Sequence, residues 1–397
     1  MNKHLTSAMR RATAAVRDGQ PQQATAIIRS ALNLGGPSAF TPDAEAAPVP
    51  PGNVAPRDPS GVPRLATARV SSGEPQSSGR PTYPLGKVVT MLKARRAPSP
   101  ASHGPAAPRT APADARFISR TFQGRAGSRD YRLYVPATTS GVPNGLIVML
   151  HGCNQDPDDF AAGTDMNRLA SEHGLLVAYP GQSRRANMSG CWNWFDPNHQ
   201  RRGDGEPAIL ADLTTALRDE YGIASGRVFV AGLSAGGAMA AVVAATYPEV
   251  YDAVGIHSGL GYGAASDVMS AFSAMNGSGG PLRAGPATDA HPRLIIVHGT
   301  ADKTVVPSNA ASIFDAMEDR LPVGRRSVER IAGSPNGRSE TVHRLERDGV
   351  VVAEMRIVEG MGHAWAGGSE AGSYTDPDGP DASAAMIRFF LAADGSA

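Results

Sequence analysis

Short apolar runs recur along the later part of the chain, separated by stretches long enough to form a helix. The runs occupy residues 146–150, 175–179, 228–231, 253–256 and 294–297. Because a strand buried on both faces of a sheet is apolar at consecutive positions, these runs predict parallel strands that helices cover on both sides. The pattern therefore favours an α/β fold with a mostly parallel central sheet flanked by helices.

Polar and apolar residues alternate in two other parts of this region. Segments 117–122 and 131–135 alternate like two antiparallel strands, and segments 342–346 and 350–358 are typical of a hairpin. A final segment at 382–392 predicts the last helix. A domain of about 280 residues can bury close to three-quarters of its unfolded surface in one core. We therefore expect one domain over residues 116–397.

The residues before this domain have a different composition. Residues 1–36 contain two short helical patterns with a Gly-Gln-Pro break between them. Residues 37–115 are rich in Pro, Ala and Ser and cannot bury enough apolar surface to offset the entropy of ordering, so they predict a disordered linker. A polymer or protein contact through this N-terminal arm stays open as a hypothesis.

Charge and length narrow the classes of partner. The 38 Lys and Arg residues balance the 37 Asp and Glu residues to a formal net charge of +1, which gives no reason to expect nucleic acid. No apolar run reaches the roughly 18 residues that a membrane helix needs, so no membrane span is expected.

The N-terminus lacks the apolar core of a secretory signal, which favours the cytoplasm or an unconventional export route. The two cysteines, Cys153 and Cys191, permit one disulfide without requiring it.

The sequence Gly-Leu-Ser-Ala-Gly at 232–236 matches the G-x-S-x-G motif of a nucleophile elbow. It follows the predicted strand at 228–231 and precedes a run of small residues at 237–245 that predicts a helix. A serine on such a sharp turn exposes its hydroxyl, and the flanking glycines let strand and helix pass close together. Ser234 is therefore predicted to be a catalytic nucleophile.

Two later residues follow Ser234 in the order used by α/β-hydrolases, which is Ser, Asp, His. Asp302 comes after the run at 294–297, at the carboxyl end of a strand, where open α/β sheets place their chemistry. His363 lies in a glycine-rich loop after 350–358. His363 would take the proton of Ser234, and Asp302 would hold the imidazole in the required tautomer.

Each of these two assignments has a plainer alternative. Aspartate is also common in turns and helix caps, and Asp252 and Asp267 are weaker candidates for the acid. His363 could also be a structural histidine of its loop. Two further histidines near strand ends are interpreted as packing or supporting groups: His257 and His298.

An oxyanion hole is expected beside the nucleophile. One donor would be the backbone N–H of Ala235, the residue after Ser234. The predicted strand at 146–150 runs into a His-Gly pair, so the second donor is expected to be the backbone N–H of Cys153 or of its neighbour Asn154. The alternative is that the His-Gly pair only ends a strand.

Five segments together resemble a known family. They are LHGCNQ at 150–155, CWNWF at 191–195, RGDGE at 202–206, GLSAGG at 232–237 and GHAW at 362–365. In combination they resemble the polyhydroxybutyrate (PHB) depolymerase family of esterases and the related feruloyl and acetylxylan esterases. The resemblance covers roughly residues 117–393.

The resemblance implies an α/β-hydrolase fold and a serine ester hydrolase that uses no cofactor and no metal. It implies that Ser234, Asp302 and His363 form the catalytic triad, and that Cys153 and Cys191 pair as a disulfide near the oxyanion loop. It also implies an extracellular protein, although no secretory signal is visible and a cytoplasmic location is the alternative.

The expected substrate is an ester or a polyester. The leading hypothesis is hydrolysis of short-chain hydroxyalkanoate esters or oligoesters through an acyl-enzyme. A feruloyl or acetylxylan esterase is the second enzymatic hypothesis, and a non-catalytic binding scaffold is the third. No polymer-binding module follows the catalytic region in this sequence, which weakens the case for crystalline polymer as the substrate.

The three tryptophans and one charged motif are the remaining candidates. Trp192, Trp194 and Trp365 are expected to line the cleft and to stack on an acyl chain or an aromatic ring, with Trp365 favoured because it lies two residues after His363. The alternative is that two of the three anchor the core or a loop. The charged residues of 202–206 are interpreted as a helix cap and a salt-bridged loop support rather than as catalytic groups.

Overall fold

The computed structural model describes residues 115–137, 141–283, 285, 290–320, 324–333 and 337–392. The predicted helical segment 1–36 lies outside these residues, and so does the predicted linker 37–115 except for Ala115.

A ten-stranded sheet forms the centre of this region, in the order β1-β2-β4-β3-β5-β6-β7-β10-β9-β8. Its strands are β1 Arg116–Gly124, β2 Gly127–Val135, β3 Gly145–Leu150, β4 Leu175–Pro180, β5 Val228–Leu233, β6 Ala253–His257, β7 Arg293–Gly299, β8 Arg325–Ile331, β9 Glu340–Arg347 and β10 Val350–Val358. The six strands from β4 to β10 in this order run parallel. Antiparallel pairs extend the sheet at both edges. The predicted mostly parallel sheet is confirmed.

Helices connect the parallel strands and cover both faces of the sheet. They are α1 Pro157–Thr164, α2 Met166–His173, α3 Gly205–Tyr221, α4 Ala235–Thr246, α5 Val268–Met275, α6 Ser308–Arg320 and α7 Ala382–Leu391. Aspartate side chains accept backbone N–H groups at the starts of α1, α3, α5 and α7, which satisfies donors that a helix leaves unpaired. None of the described helices is long and apolar enough to cross a bilayer.

The core is divided by the sheet into two layers. On β3, Val148 belongs to the layer that contains residues of α3, α4 and α6, whereas Ile147 and Met149 belong to the layer that contains residues of α1, α2 and α7. All six residues of β3 are buried. This burial on both faces is the physical reason why the central strands are apolar at most positions.

Strand β8 was not predicted from the sequence. Its residues, Arg-Arg-Ser-Val-Glu-Arg-Ile, are mostly exposed, and Val328 is 59% exposed. The strand therefore has no apolar pattern of its own and forms because it pairs with β9 at the edge of the sheet. Two further short strands, β11 Trp365–Ala366 and β12 Thr375–Asp376, pair with each other after β10.

Candidate functional site

Ser234 lies on the sharp turn between β5 and α4. Its backbone has φ 57°, in the left-handed region that a residue with a side chain rarely adopts. A Cβ atom placed on Gly232 would overlap the backbone of Gly236, and one placed on Gly236 would overlap the carbonyl oxygen of Leu150. The turn is therefore closed only because both glycines lack a side chain, and it lifts Ser234 out of an otherwise buried run.

The Ser234 hydroxyl is at the carboxyl edge of the sheet. The Ser234 N–H donates to the carbonyl oxygen of His257 at 2.9 Å, which ties the turn to the end of the adjacent strand β6. Among the described residues the Ser234 hydroxyl has no hydrogen-bond partner, so the serine–histidine contact of a triad is not formed in this conformation. Catalytic hydrogen bonds often tighten only when substrate is bound.

Asp302 and His363 are in direct contact at the same edge. Nδ1 of His363 and Oδ2 of Asp302 are 2.7 Å apart, and the Asp302 side chain is fully buried while that of His363 is 13% exposed. The second carboxylate oxygen of Asp302 accepts the N–H groups of Thr304 and Val305 at 2.8 and 3.0 Å. The Asp302 carboxylate therefore stabilises its own turn through one oxygen and contacts His363 through the other.

The electrostatics of Asp302 favour its charged form. Burial by itself would raise the pKa of Asp302, but the contacts with His298 and His363 outweigh it and hold the pKa below the ordinary value. A carboxylate accepts the Nδ1–H of His363, so the imidazole tautomer that leaves Nε2 free is stabilised. That tautomer is the one that can take a proton from a serine.

The loop that carries His363 is held against the loop that carries Asp302. The N–H of Ala301 donates to the carbonyl oxygen of Met361 at 2.9 Å. A Cβ atom on Gly299 would overlap the same carbonyl group, so the two loops approach closely only because this position is glycine. The parallel pairing of β7 with β10 brings the two loops to one edge of the sheet.

Two further histidines lie beneath this pair. Nε2 of His298 is 2.8 Å from the carbonyl oxygen of Val305 and 3.4 Å from Oδ2 of Asp302, and the His298 side chain is fully buried. The shorter contact is the hydrogen bond, so Nε2 carries a proton and presents it near the carboxylate. Nδ1 of His298 has no partner within the described part of the chain. The sequence indicated a supporting role for His298 but not its approach to Asp302.

His257 supports the loop after His363 from below. Its Nε2 accepts the N–H of Ala366 at 3.0 Å, and its ring stacks on the indole of Trp365 with centroids 4.8 Å apart. Burial, and then the nearby imidazoles of His298 and His363, hold the pKa of His257 well below its ordinary value. A neutral ring is required at this position because Nε2 must accept a hydrogen bond.

The two backbone N–H groups expected to form the oxyanion hole have no hydrogen-bond acceptor within the described part of the chain. Ala235 is the first residue of α4, where a helix leaves its N–H groups without intrahelical acceptors. The N–H of Cys153 has no acceptor among the residues described, whereas the N–H of Asn154 donates to Ser189 at 3.0 Å. Of the two alternatives for the second oxyanion donor, the structure leaves Cys153 available and uses Asn154 elsewhere.

A disulfide joins Cys153 to Cys191, 38 residues later. It ties the loop after β3 to the loop that precedes α3. The carboxylate of Glu206, which is 1% exposed, accepts the backbone and side-chain N–H groups of Asn193 at 2.8 and 2.7 Å and also bonds the side chain of Gln182. The predicted support of this loop by the charged motif thus rests on a buried carboxylate.

The three tryptophans correct the expectation of substrate contacts. Trp192, Trp194 and Trp365 are 0%, 5% and 1% exposed. The indole N–H of Trp192 donates to His151, and that of Trp365 donates to Ser383. Aromatic rings with this little free surface cannot stack on a ligand, so these residues are anchors of the core and of the disulfide loop. For such large rings, burial of their apolar area in the interior stabilises the fold more than contact with a substrate would.

The chain is similar in sequence to known esterases. The family model "Esterase PHB depolymerase" matches residues 129–321. Poly(3-hydroxyalkanoate) depolymerase C of Paucimonas lemoignei is 30% identical over 236 residues, which is 56% of this chain and 56% of that protein. Feruloyl esterase B of Neurospora crassa is 33% identical over 219 residues, which is 51% of this chain and 73% of that protein.

Acetylxylan esterase A of Talaromyces purpureogenus is 31% identical over 197 residues, which is 45% of this chain and 50% of that protein. The chain thus spans about half the length of the first and third of these relatives. Among solved structures, an acetyl xylan esterase from Aspergillus awamori aligns with a TM-score of 0.53 at 20% identity, covering 70% of this chain and 98% of that one. This similarity supports the fold alone.

Proposed function

Because this chain belongs to the PHB depolymerase family of esterases, we propose that it is a serine carboxylesterase with Ser234 as nucleophile, His363 as general base and Asp302 as the acid of the triad. The observation that carries the proposal is the 2.7 Å contact between His363 and Asp302 at the sheet edge where the turn presents Ser234.

The proposed reaction proceeds through an acyl-enzyme. Nε2 of His363, which the contact of Nδ1 with Asp302 leaves unprotonated, takes the proton of the Ser234 hydroxyl as its oxygen attacks the ester carbonyl carbon. The bond to the alcohol breaks, and the alcohol leaves with that proton. Water then attacks the acyl-enzyme, His363 takes a proton from it, and the acid product departs as Ser234 recovers its proton.

The negative charge that develops on the carbonyl oxygen would be bound by the N–H groups of Ala235 and Cys153. Loss of one such donor costs about 10²–10³ in kcat in serine hydrolases. Support for this assignment comes from these two N–H groups, neither of which has a protein acceptor among the described residues. The disulfide at Cys153 would limit the motion of this loop.

The proposed substrates are short-chain hydroxyalkanoate esters and oligoesters, or the corresponding polyester. The support is the relative from Paucimonas lemoignei, which is named a poly(3-hydroxyalkanoate) depolymerase. Feruloyl or acetylated xylan esters are the second candidate, because relatives of similar identity carry those names. Rates on hydroxybutyrate oligomers, polymer film, methyl ferulate and acetylated xylan, measured on one preparation, would rank these substrates.

The decisive experiment is replacement of the nucleophile. Ser234→Ala is expected to remove nearly all turnover of a short p-nitrophenyl ester while thermal unfolding stays close to that of the wild type. A fluorophosphonate should label the wild-type protein at Ser234 and leave the variant unlabelled. Activity retained in the variant would overturn the proposed mechanism, and a wild-type protein that takes no label would favour a non-catalytic scaffold.

We further propose that residues 116–397 form the catalytic domain and that the protein works outside the cytoplasm. The disulfide supports this location, because such bonds persist in oxidising compartments. Deletion of residues 1–110 is expected to leave the rate on a soluble ester unchanged, which a purified truncated protein would test. A large loss of activity or of thermal stability would instead indicate that the N-terminal residues pack against the domain.

A further inference from the structure

The backbone of Gly152 is held by side chains that the proposed mechanism does not use. Its carbonyl oxygen accepts from Nδ1 of His151 at 2.8 Å and from the N–H of Gln155 at 3.3 Å. Its N–H donates to Oε1 of Gln155 at 2.9 Å. Both polar groups of Gly152 are therefore satisfied: its N–H by the side chain of Gln155, and its carbonyl oxygen by His151 and the backbone N–H of Gln155.

The direction of the His151 contact follows from its other nitrogen. Nε2 of His151 lies 3.0 Å from the backbone N–H of Gln182, which can only donate. Nε2 is therefore the acceptor, and Nδ1 carries the proton that goes to Gly152. Burial lowers the pKa of His151, which keeps the ring in the neutral form that this arrangement needs.

The position of the Gly152 carbonyl also determines the direction of the next backbone N–H group along the chain. In a trans peptide the C=O of one residue and the N–H of the next lie in one plane and point in opposite directions. The N–H in question is that of Cys153, which has no acceptor among the residues that the structure resolves in detail. The contacts to the Gly152 carbonyl oxygen therefore set the direction of the Cys153 N–H, which points to the opposite side of the peptide.

The side chain of Gln155 is itself anchored at its other end. Its Nε2 donates to Oδ2 of Asp159 at 2.9 Å and to the carbonyl oxygen of Ser373 at 3.0 Å. Asp159 also accepts the N–H and the hydroxyl of Ser373 at 2.8 and 2.6 Å. Ser373 lies between β11 and β12, in the segment that follows His363. One buried amide, 6% exposed, thus joins the loop after β3 to the segment after His363.

We propose that Gln155 is a positioning residue for the oxyanion hole, acting through Gly152 on the N–H of Cys153. The inference rests on the proposed function. The carbonyl end of the amide holds Gly152, and its NH₂ end is held by Asp159 and Ser373. Without this amide the N–H of Gly152 loses its acceptor, while its carbonyl oxygen keeps the contacts with His151 and with the backbone N–H of Gln155. The backbone at Gly152 is then fixed from one side only, so the Gly152–Cys153 peptide can tilt and its N–H is less well directed at the developing oxyanion. Because that charge exists in the transition state and not in the bound ester, the loss falls on kcat rather than on KM.

The test compares two buried glutamines. Gln155→Met removes both ends of the amide and keeps the side-chain length. Gln200→Met is the matched control, because Gln200 is 2% exposed and donates to the carbonyl oxygens of Trp194 and Ala265, away from the loop after β3. The measurements are kcat and KM on a short p-nitrophenyl ester, the rate of fluorophosphonate labelling of Ser234, and the midpoint of thermal unfolding.

The expected result for Gln155→Met is a kcat lower by about 10- to 100-fold, less than the full loss of one oxyanion donor. KM should be unchanged, and labelling should slow by a similar factor. Gln200→Met should keep the wild-type kcat even if its unfolding midpoint falls as far as that of Gln155→Met. Equal kcat values in the two variants, or a change confined to KM, would overturn the role of Gln155.

A milder variant covers the case in which Gln155→Met does not fold. Ser373→Ala removes the Ser373 hydroxyl from Asp159 and leaves both Gln155 contacts to Gly152 in place, so kcat and labelling should fall by a few-fold at unchanged KM. Wild-type kcat in this variant would then contradict the proposal. A wild-type protein that neither hydrolyses the ester nor takes the label refutes the proposed function, whereas an active wild type with an unaffected Gln155→Met refutes only the role of Gln155.

Discussion

His298 places Nε2 3.4 Å from the carboxylate of Asp302, four residues later, while its hydrogen bond goes to the carbonyl oxygen of Val305 at 2.8 Å. The carboxylate therefore lies between two imidazoles, those of His298 and His363. Only the one from His363 reaches the surface where a substrate could bind. The buried imidazole of His298 stabilises the turn that carries Asp302.

Replacement of His298 by leucine should destabilise the domain. The carbonyl oxygen of Val305 would lose its side-chain donor in a buried site, at a cost of about 1–3 kcal/mol. The pKa of Asp302 should rise, because one of the contacts that lowers it is lost. Urea unfolding would measure the first effect, and an NMR titration of the Asp302 carboxyl carbon would measure the second. An unchanged unfolding free energy would show that the His298 contact contributes nothing.

The stability of the domain should depend on pH through Asp302. Because its pKa is lower in the folded protein than in the unfolded chain, the charged carboxylate contributes stability that is fully present above pH about 4. That contribution is lost as the pH falls towards the folded-state pKa. Asp302→Asn should therefore be less stable than the wild type at pH 7, with a smaller difference at pH 3.

Denaturant unfolding of both proteins at the two pH values checks this sign. The same variant should lower kcat by about 10⁴, because an amide stabilises the wrong tautomer of the catalytic histidine. A difference in stability that grows on acidification would contradict the assignment.

Reduction of the disulfide between Cys153 and Cys191 should lower both stability and activity. The bond closes a loop with a sequence separation of 38 residues, for which chain entropy gives an upper value of about 4 kcal/mol. Its loss also frees the loop that carries the N–H of Cys153. Thermal unfolding and ester hydrolysis with and without reductant would measure both effects. The double variant Cys153→Ser/Cys191→Ser is the control, and it should not respond to reductant.

Two glycines near the site should differ in their tolerance of alanine. Gly236→Ala places a Cβ atom into the carbonyl group of Leu150, so the turn at Ser234 must shift and activity should be lost. Gly362→Ala, next to His363, meets nothing within 4 Å and should keep most of the activity. Ester hydrolysis and circular dichroism of the two variants test this contrast. Equal activity in the two would show that the turn can adjust.

Trp365→Phe tests whether this residue is structural. Its buried indole N–H donates to Ser383 at 3.0 Å, so the variant should lose about 1 kcal/mol of unfolding free energy, together with some packing. KM for a soluble ester should not change, because the ring has no surface that a ligand can reach. A several-fold rise in KM without loss of stability would restore the role in substrate binding that the sequence suggested.

The sequence by itself determined the central strands and the elbow. Strands buried on both faces are apolar at most positions, and a serine on so tight a turn needs glycine at 232 and 236, so both features appear as local patterns. The roles of Ser234, Asp302 and His363 were also predicted from local patterns and from their order along the chain. Each follows a strand whose carboxyl end lies at one edge of the sheet.

Only the tertiary structure decided which side chains are buried and which polar groups meet. Trp365 is an anchor rather than a substrate contact because a helix and a histidine cover it. The contact of Gln155 with Ser373 joins residues 218 positions apart, and no local pattern can encode such a pairing. Burial and long-range hydrogen bonds depend on how the elements pack, whereas the periodicity of a strand and the glycines of a turn depend only on neighbours in the chain.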